Sequence, residues 1–133
     1  MYKCRYFDIQ ELVSPDCYSD RGDKAWELLD VSMLMGIDQL RDEYGPMIVN
    51  DWSTGGRRKH SGLRQADSPF FSPYSQHSFG RAVDCFFLDT TVSKVRKDIL
   101  ENNGRFGICG IELNVNWLHV DWRNCTPTKA FEN

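Results

Sequence analysis

Two histidines and one aspartate carry the strongest chemical signal in this sequence. His77 and Asp84 lie seven positions apart in Ser-Gln-His-Ser-Phe-Gly-Arg-Ala-Val-Asp, and His119 follows in the apolar segment Trp-Leu-His-Val-Asp. Two imidazoles and a carboxylate, with a fourth position left for water, are a common ligand set of hydrolytic zinc sites. Zinc lowers the pKa of bound water to about 7, which makes hydroxide available at neutral pH. We therefore expect His77, Asp84 and His119 to bind one Zn²⁺ ion.

The elements around these residues can bring them together. Gly80 permits a tight turn or a close backbone approach, and the apolar run at 81–88 predicts a buried strand that contains Asp84. A carboxylate in apolar surroundings is costly unless it pairs with a cation or binds a metal ion. The segments 106–113 and 117–122 predict two strands joined by a tight turn, which sets His119 on a neighbouring strand.

A hydrolytic zinc site also needs a general base, and two carboxylates near His119 are candidates. Asp121 lies two residues after His119, so both side chains point to the same face of a regular strand. Glu112 precedes the turn into that strand, and a hairpin lets it point back toward the metal. The alternatives are that Glu112 is a solvated strand residue and that Asp121 is an ion-pair partner of Arg123.

The order of these residues resembles that of a known enzyme family. The M15 zinc peptidases carry the signature Ser-x-His-x-x-Gly-x-Ala-x-Asp, followed later by an aromatic residue, any residue and His. Every defined position of the first motif is matched here, by Ser75, His77, Gly80, Ala82 and Asp84. The family shares its fold with the D-Ala-D-Ala carboxypeptidases and with the signalling domain of hedgehog.

Within this family, the chain is most similar to the short, phage-encoded branch. Such members begin with Tyr-Phe-x-Ile-x-Glu-Leu-Val, present here at 6–13, and carry Ser-Gly-Leu-Arg, present at 61–64. The resemblance covers nearly the whole chain. It implies a hedgehog-like or DD-peptidase-like domain that hydrolyses a peptide bond in the stem peptide of bacterial peptidoglycan during phage or prophage lysis. Carboxypeptidase and endopeptidase activity both remain open.

The resemblance also implies roles for Arg64 and Glu112. Arg64 would hold the substrate carbonyl or the developing oxyanion, since a fixed cation directed at developing negative charge strongly stabilises the transition state. Its alternative role is a structural salt bridge. Several family members carry Glu or Asp three residues before the last histidine, where this chain has Asn116, which cannot act as a base. Hedgehog-like and phage-type members carry a comparable glutamate a short, variable distance before this histidine, so the resemblance implies that Glu112 is the base. Asp121 would then orient a ligand imidazole.

Size, charge and cysteine content limit the other possibilities. A chain of 133 residues suits one domain, spanning 1–133, which we expect to be a monomer. A net charge of −3 disfavours a general nucleic-acid binder, because such domains carry a basic excess. The one basic cluster, 57–60, is either a solvated loop or a contact to an anionic polymer or a substrate carboxylate.

The five cysteines and the N-terminus bear on where the protein is made. Five cysteines without a C-x-x-C pair favour reduced thiols, with Cys85 and Cys109 as core residues. We expect synthesis in the cytoplasm without a signal peptide and without a membrane span. The protein would then act on the cell wall only after release or delivery by another agent.

The pattern of apolar residues, glycines and prolines predicts an α+β domain with an antiparallel sheet packed on helices. Two helices are expected, the first ended by Gly45-Pro46 and the second begun by Thr90 or Thr91, with Leu100 facing inward. The other expectations are an irregular arm or short strand at 1–20, a helix at 23–44, a strand at 47–50, a long loop at 52–74 and a polar tail from 124.

Two other classes of function compete with the peptidase. A catalytically silent, zinc-containing binding or virion module would keep the fold without a base, and Asn116 keeps this alternative open. A cysteine hydrolase using Cys85 and His77 is disfavoured, because Cys85 lies in an apolar strand where thiols are inert. Inhibition by a chelator rather than by a thiol alkylator would distinguish metal chemistry from thiol chemistry.

Overall fold

A computed structural model describes all residues from 1 to 133 as a mixed α+β structure built around one five-stranded sheet. The α-helices are α1 (Pro15–Arg21), α2 (Val31–Tyr44) and α3 (Val92–Glu101). The strands are β1 (Met47–Ile48), β2 (Ala82–Phe87), β3 (Gly110–Glu112), β4 (Leu118–Asp121) and β5 (Lys129–Phe131). Short 3-10 helices span Ile9–Glu11, Gly22–Leu28, Trp52–Thr54, Gln76–Phe79 and Arg105–Gly107. None of the helices is both long enough and apolar enough to cross a membrane.

The sheet has the strand order β1-β2-β4-β3-β5. The first four strands pair antiparallel, and β5 pairs parallel with β3 at the edge. The expected hairpin of β3 and β4 is confirmed, and Asn114 in its turn has a positive φ of 61°. Asparagine tolerates this left-handed conformation better than most residues. The antiparallel α+β prediction therefore holds for the four strands that surround the site.

The two faces of the sheet have different partners, because successive side chains of a strand alternate between faces. Val83 and Cys85 of β2, Ile111 of β3, and Leu118 and Val120 of β4 are fully buried in the hydrophobic core. That core is completed by apolar residues of α2 and α3, among them Met33, Leu34, Ile37, Leu40, Val95 and Ile99. The intervening residues of the same strands point to the opposite face of the sheet, which borders a cleft.

The predicted helix ends at Gly45 and around Thr91 are confirmed. Gly45, with φ 81°, caps α2, and the Thr91 side chain accepts a hydrogen bond from the Lys94 backbone N–H at the start of α3. Leu100 was expected to face inward, but its side chain is exposed. Its position one residue after the buried Ile99 turns it out of the apolar stripe.

The single helix expected at 23–44 is wrong at its first turns. Residues Gly22–Leu28 form a 3-10 helix, Leu29 is extended, and Asp30 starts α2 by accepting a hydrogen bond from the Ser32 backbone N–H. Aspartate is a favoured N-cap because its carboxylate satisfies a free N–H of the first turn. The long loop at 52–74 is confirmed as irregular after its short 3-10 turn.

Both termini contain more regular structure than the sequence predicts. Pro15 begins α1 instead of interrupting a strand, with the Ser14 side chain accepting from the Cys17 backbone N–H. Proline is favoured in the first turn, where its missing N–H costs nothing. At the other end the polar tail supplies β5, and a disulfide joins Cys109 to Cys125 with their Cα atoms 5.8 Å apart. This pair corrects the prediction of five reduced thiols, since only three cysteines are free.

Candidate metal centre

The three residues with ligand chemistry converge as the sequence predicted. One ligand atom from each of His77, Asp84 and His119 lies within 4.8 Å of the others. Asp84 Oδ1 is 3.3 Å from His77 Nε2 and 2.9 Å from His119 Nδ1. Both imidazoles are buried and the carboxylate is half-buried. The group could hold a metal ion, although two nitrogens and a carboxylate oxygen suit several divalent metals besides zinc.

The loop before β2 orients His77. Ser75 caps the 3-10 helix Gln76–Phe79 by accepting from the His77 backbone N–H, and Gly80 ends it with φ 66°. A Cβ on Gly80 would overlap the Leu28 carbonyl oxygen, so both its positive φ and the close approach require glycine. His77 Nδ1 lies 2.8 Å from the Gly62 carbonyl oxygen. Because a carbonyl only accepts, Nδ1 carries a proton, and Nε2 is the ring nitrogen that faces Asp84.

Pairing of the strands sets the other residues in a row. Asp84 of β2 lies directly opposite His119 of β4. Ile111 lies opposite Val120, so Glu112 continues that register opposite His119 on β3, and it lies opposite Phe131 on β5. Opposed side chains share a face, with Cβ atoms about 5 Å apart. The site is therefore a row of Asp84, His119, Glu112 and Phe131 across four strands.

Asp121 follows His119 by two residues on β4, is buried next to this row, and hydrogen-bonds to the His119 ring. Its Oδ2 is 2.9 Å from His119 Nε2, and its two oxygens accept from Arg123 Nη2 at 2.6 Å and Nε at 2.7 Å. Asp121 has no exposed surface. A carboxylate bound to the outer nitrogen of a ligand histidine fixes the ring and its protonation, which is the support expected of a metal-binding imidazole.

Hydrogen bonds join the ionisable groups of the site and shift their pKa values. Burial disfavours charge on His119, but its hydrogen bonds to Asp121 and Asp84 prevail and raise the pKa of His119 to about 9. Burial likewise opposes charge on Asp121, yet hydrogen bonds from Arg123 and His119 lower the pKa of Asp121 to about 2. The pKa of Asp84 also falls, because hydrogen bonds from His119 and His77 outweigh its burial. The two carboxylates, Asp84 and Asp121, therefore favour the protonated, cationic form of His119, which lies between them.

Arg64 contacts the row from the loop. Its Nη2 is 2.9 Å from Asp84 Oδ2, its Nε donates to the His60 carbonyl at 2.7 Å, and its backbone N–H donates to the His77 carbonyl. The salt-bridge alternative is thus what the structure contains. These bonds employ Nε and Nη2, which leaves Nη1 of the guanidinium for a substrate oxygen.

A cleft of about 970 Å³ lies over the row. His77, Asp84, His119, Glu112 and Arg64 all line it, whereas the buried Asp121 does not. Among the other lining residues are Arg57, Arg58, Lys59, His60, Phe70, Tyr74, Trp117, Phe131 and Asn133. Access to the cleft separates the two candidate bases, since only Glu112 can meet a bound substrate.

The C-terminal segment forms a wall that the sequence did not predict. The Phe131 ring lies 5.5 Å from the His119 ring, and Asn133 Nδ2 is 3.4 Å from Glu112 Oε2. The hydrogen bond between His77 and the Gly62 carbonyl oxygen was also not predicted from the sequence. Backbone partners and non-local strand pairs leave no local pattern in the sequence, although an aromatic residue in a polar tail, such as Phe131, is a weak signal of contact with the domain.

Other residues around the site differ in whether they line the cleft. Tyr74 and Trp117 line the cleft, but Trp52 is turned away and donates its indole N–H to the Val13 carbonyl at 2.9 Å. His60 lies in the cleft outside the ligand group, and Cys85 is fully buried, where desolvation raises the pKa of its thiol. Burial of Cys85 disfavours thiol catalysis.

No protein-family model, curated protein or solved structure matches this chain. The resemblance to the M15 peptidases therefore rests on the motif residues alone.

Proposed function

We propose that this protein is a zinc metallopeptidase of the M15 type that hydrolyses a peptide bond in the stem peptide of bacterial peptidoglycan. The observation that carries the proposal is the row of Asp84, His119 and Glu112 on the floor of an open cleft, with His77 beside it. A ligand triad next to a carboxylate that faces the cleft is the minimum equipment of a metal-dependent hydrolase. The peptidoglycan substrate and the phage or prophage origin rest on the motif resemblance.

Zinc bound by His77, Asp84 and His119 would supply a water of lowered pKa and polarise the scissile carbonyl. Glu112 borders His119 and accepts the proton of the attacking water, then donates it to the leaving amine. Arg64 Nη1 donates to the oxygen that becomes negative during attack. Asp121 keeps the His119 ring in place from below.

Burial favours Glu112 over Asp121 as the base. Glu112 is slightly exposed in the cleft, while Asp121 is sealed and already accepts from His119 and Arg123. A base must reach the reacting proton directly or through one water. Asp121 satisfies no such contact, so its role is to position His119.

A digestion of peptidoglycan tests the proposal. Purified peptidoglycan is incubated with the protein, with and without a metal chelator, and new termini are identified by mass spectrometry. Chelator-sensitive release of a new amino terminus in the stem peptide is the expected result, and its identity decides between endopeptidase and carboxypeptidase. A thiol alkylator should leave the reaction unchanged.

A catalytically silent zinc module is the second candidate, and Asn116 favours it. Asn116 is exposed in the turn before β4 and contributes no carboxylate to the cleft. If the protein binds zinc but releases no peptide from any peptidoglycan preparation, this binding or virion role replaces the peptidase.

A further inference from the structure

The charge of the cleft is opposite to that of the chain. The whole chain carries a net charge of −3, yet the cleft is lined by five cationic side chains and two carboxylates. The cations are Arg57, Arg58, Lys59, Arg64 and Arg123. Concentrated charge of one sign in a cleft raises the local concentration of ligands of the other sign. A bound divalent metal would make the cleft more positive still, so the ligand that fits it is anionic.

Most of these cations already have a carboxylate partner. Arg64 pairs with Asp84 and Arg123 pairs with Asp121. Arg58 differs from both because its partner, Asp51, is neither a candidate metal ligand nor a hydrogen-bond partner of one, and lies at the longer distance of 3.3 Å. Arg58 is thus the cleft arginine that is fixed in place by a carboxylate outside the candidate metal ligands and their hydrogen-bonded support.

Arg58 is held in place by three contacts. Its guanidinium lies over the Phe86 ring, 4.4 Å from the centroid, and its Nη1 contacts Asp51 Oδ2. Its backbone N–H also donates to Asp51 Oδ1 at 2.8 Å. These contacts leave Nε and Nη2 free on one edge of the guanidinium. An arginine edge with two parallel donors matches a carboxylate, and prior anchoring reduces the entropy lost on binding.

Phe86 relates Arg58 to the metal ligands. Phe86 follows Asp84 by two residues on β2, so the two side chains share a face about 7 Å apart. An extended peptide advances about 3.3 Å per residue. If the scissile bond of a substrate peptide lies over Asp84, a substrate group bound to Arg58 therefore belongs to a residue within about two positions of that bond.

We propose that Arg58 is a specificity-determining residue that binds a free carboxylate of the substrate, within about two residues of the scissile bond. Arg57 and Lys59 line the same cleft next to Arg58 and add to its positive charge. The inference rests on the proposed peptidase function and deepens it: the substrate is an acidic peptide, and its amidated form is a poor one. Amidation removes the charge and places an NH₂ donor against the arginine donors.

A matched pair of substrates tests this inference. Muropeptides are acetylated to block their amines, and one half is then amidated with ammonia and carbodiimide. The appearance of new amino groups gives kcat/KM for each form. The parent protein should prefer the free-carboxylate form by about 10- to 100-fold, the range of hydrogen bonds to charged groups. Digestion of a partly amidated pool then identifies, from the species left uncut, which carboxylate matters.

Arg58→Gln should reduce this preference to within about threefold, by slowing cleavage of the acidic form and leaving the amidated form unchanged. Lys97→Gln, which removes the same charge from the exposed face of α3, should keep the full preference. Arg58→Lys keeps a charge without the two-donor edge and should give an intermediate preference. It also replaces the glutamine variant if that variant fails to fold.

The outcomes separate the two proposals. Equal cleavage of both substrates by the parent, or a full preference in either Arg58 variant, overturns the role of Arg58 and leaves the peptidase intact. Cleavage of neither substrate refutes the peptidase and this inference with it.

Discussion

Zinc binding to this site should release a proton, and Asp121 should control how strongly. In the metal-free protein the pKa of His119 is about 9, so at pH 7 its Nδ1 carries a proton that points at Asp84. A metal ion can bind Nδ1 only after that proton leaves. The apparent zinc affinity should therefore be about 100-fold below its limiting value at pH 7, and should rise about tenfold per pH unit up to pH 9.

Isothermal titration calorimetry measures this effect directly. Titrations at pH 7 in buffers of different ionisation enthalpy should show about one proton released per zinc ion bound. Asp121→Asn removes one of the two carboxylates whose hydrogen bonds raise the pKa of His119. The variant should release less than one proton and have a shallower pH dependence, together with an intrinsic affinity about 10- to 100-fold weaker from loss of the supporting carboxylate.

Two results would refute this reasoning. An affinity that is constant between pH 6 and 9 would mean that His119 is neutral in the metal-free site. Proton release unchanged in Asp121→Asn would mean that Asp84 alone sets the pKa of His119.

Three further predictions concern catalysis, pH and the disulfide. Glu112→Gln should keep zinc but lose at least about 100-fold in peptidase activity, whereas Asp121→Asn should lose about 10- to 100-fold; the reverse ranking would make Asp121 the base. Because the folded pKa of His119 is raised from 6.5 to about 9, its contribution to stability is complete below pH 6.5 and is lost as the pH rises through 9. Chemical denaturation of metal-free protein should show a loss of about 3 kcal/mol over that interval, and a flat profile would contradict it. Cys125→Ser opens the loop closed by Cys109 and Cys125, which are 16 positions apart, and should lower the free energy of unfolding by about 3 kcal/mol relative to the parent protein; equal stability of variant and parent would argue against the bond.

The ligand triad could be predicted because it depends on local chemistry and on strand periodicity. Gly80 ends the short helix that contains His77 and leads into the strand that contains Asp84. His119 belongs to a hairpin that its apolar segments and the turn between them predict. The alternation of side chains along a strand placed Asp121 beside His119, where it forms the expected hydrogen bond. What stayed open was the choice of base, because exposure to the cleft depends on the assembled sheet.

The errors have different physical causes. Pro15 fits either a turn or the first residue of a helix, and only the Ser14 cap decides for α1. The strand β5 is three residues long and pairs in parallel with a distant segment, so its composition carries almost no signal. The Cys109–Cys125 bond was missed because an odd count of cysteines does not identify pairs.

Zinc stoichiometry tests the central claim most directly. Protein purified without added zinc and analysed by plasma emission spectrometry should contain close to one zinc ion per chain. His77→Ala, Asp84→Ala and His119→Ala should each reduce this content to a small fraction, while His60→Ala, a cleft histidine outside the ligand group, should retain it. Full zinc content in the three ligand variants, or an equal loss in His60→Ala, would contradict the metal centre.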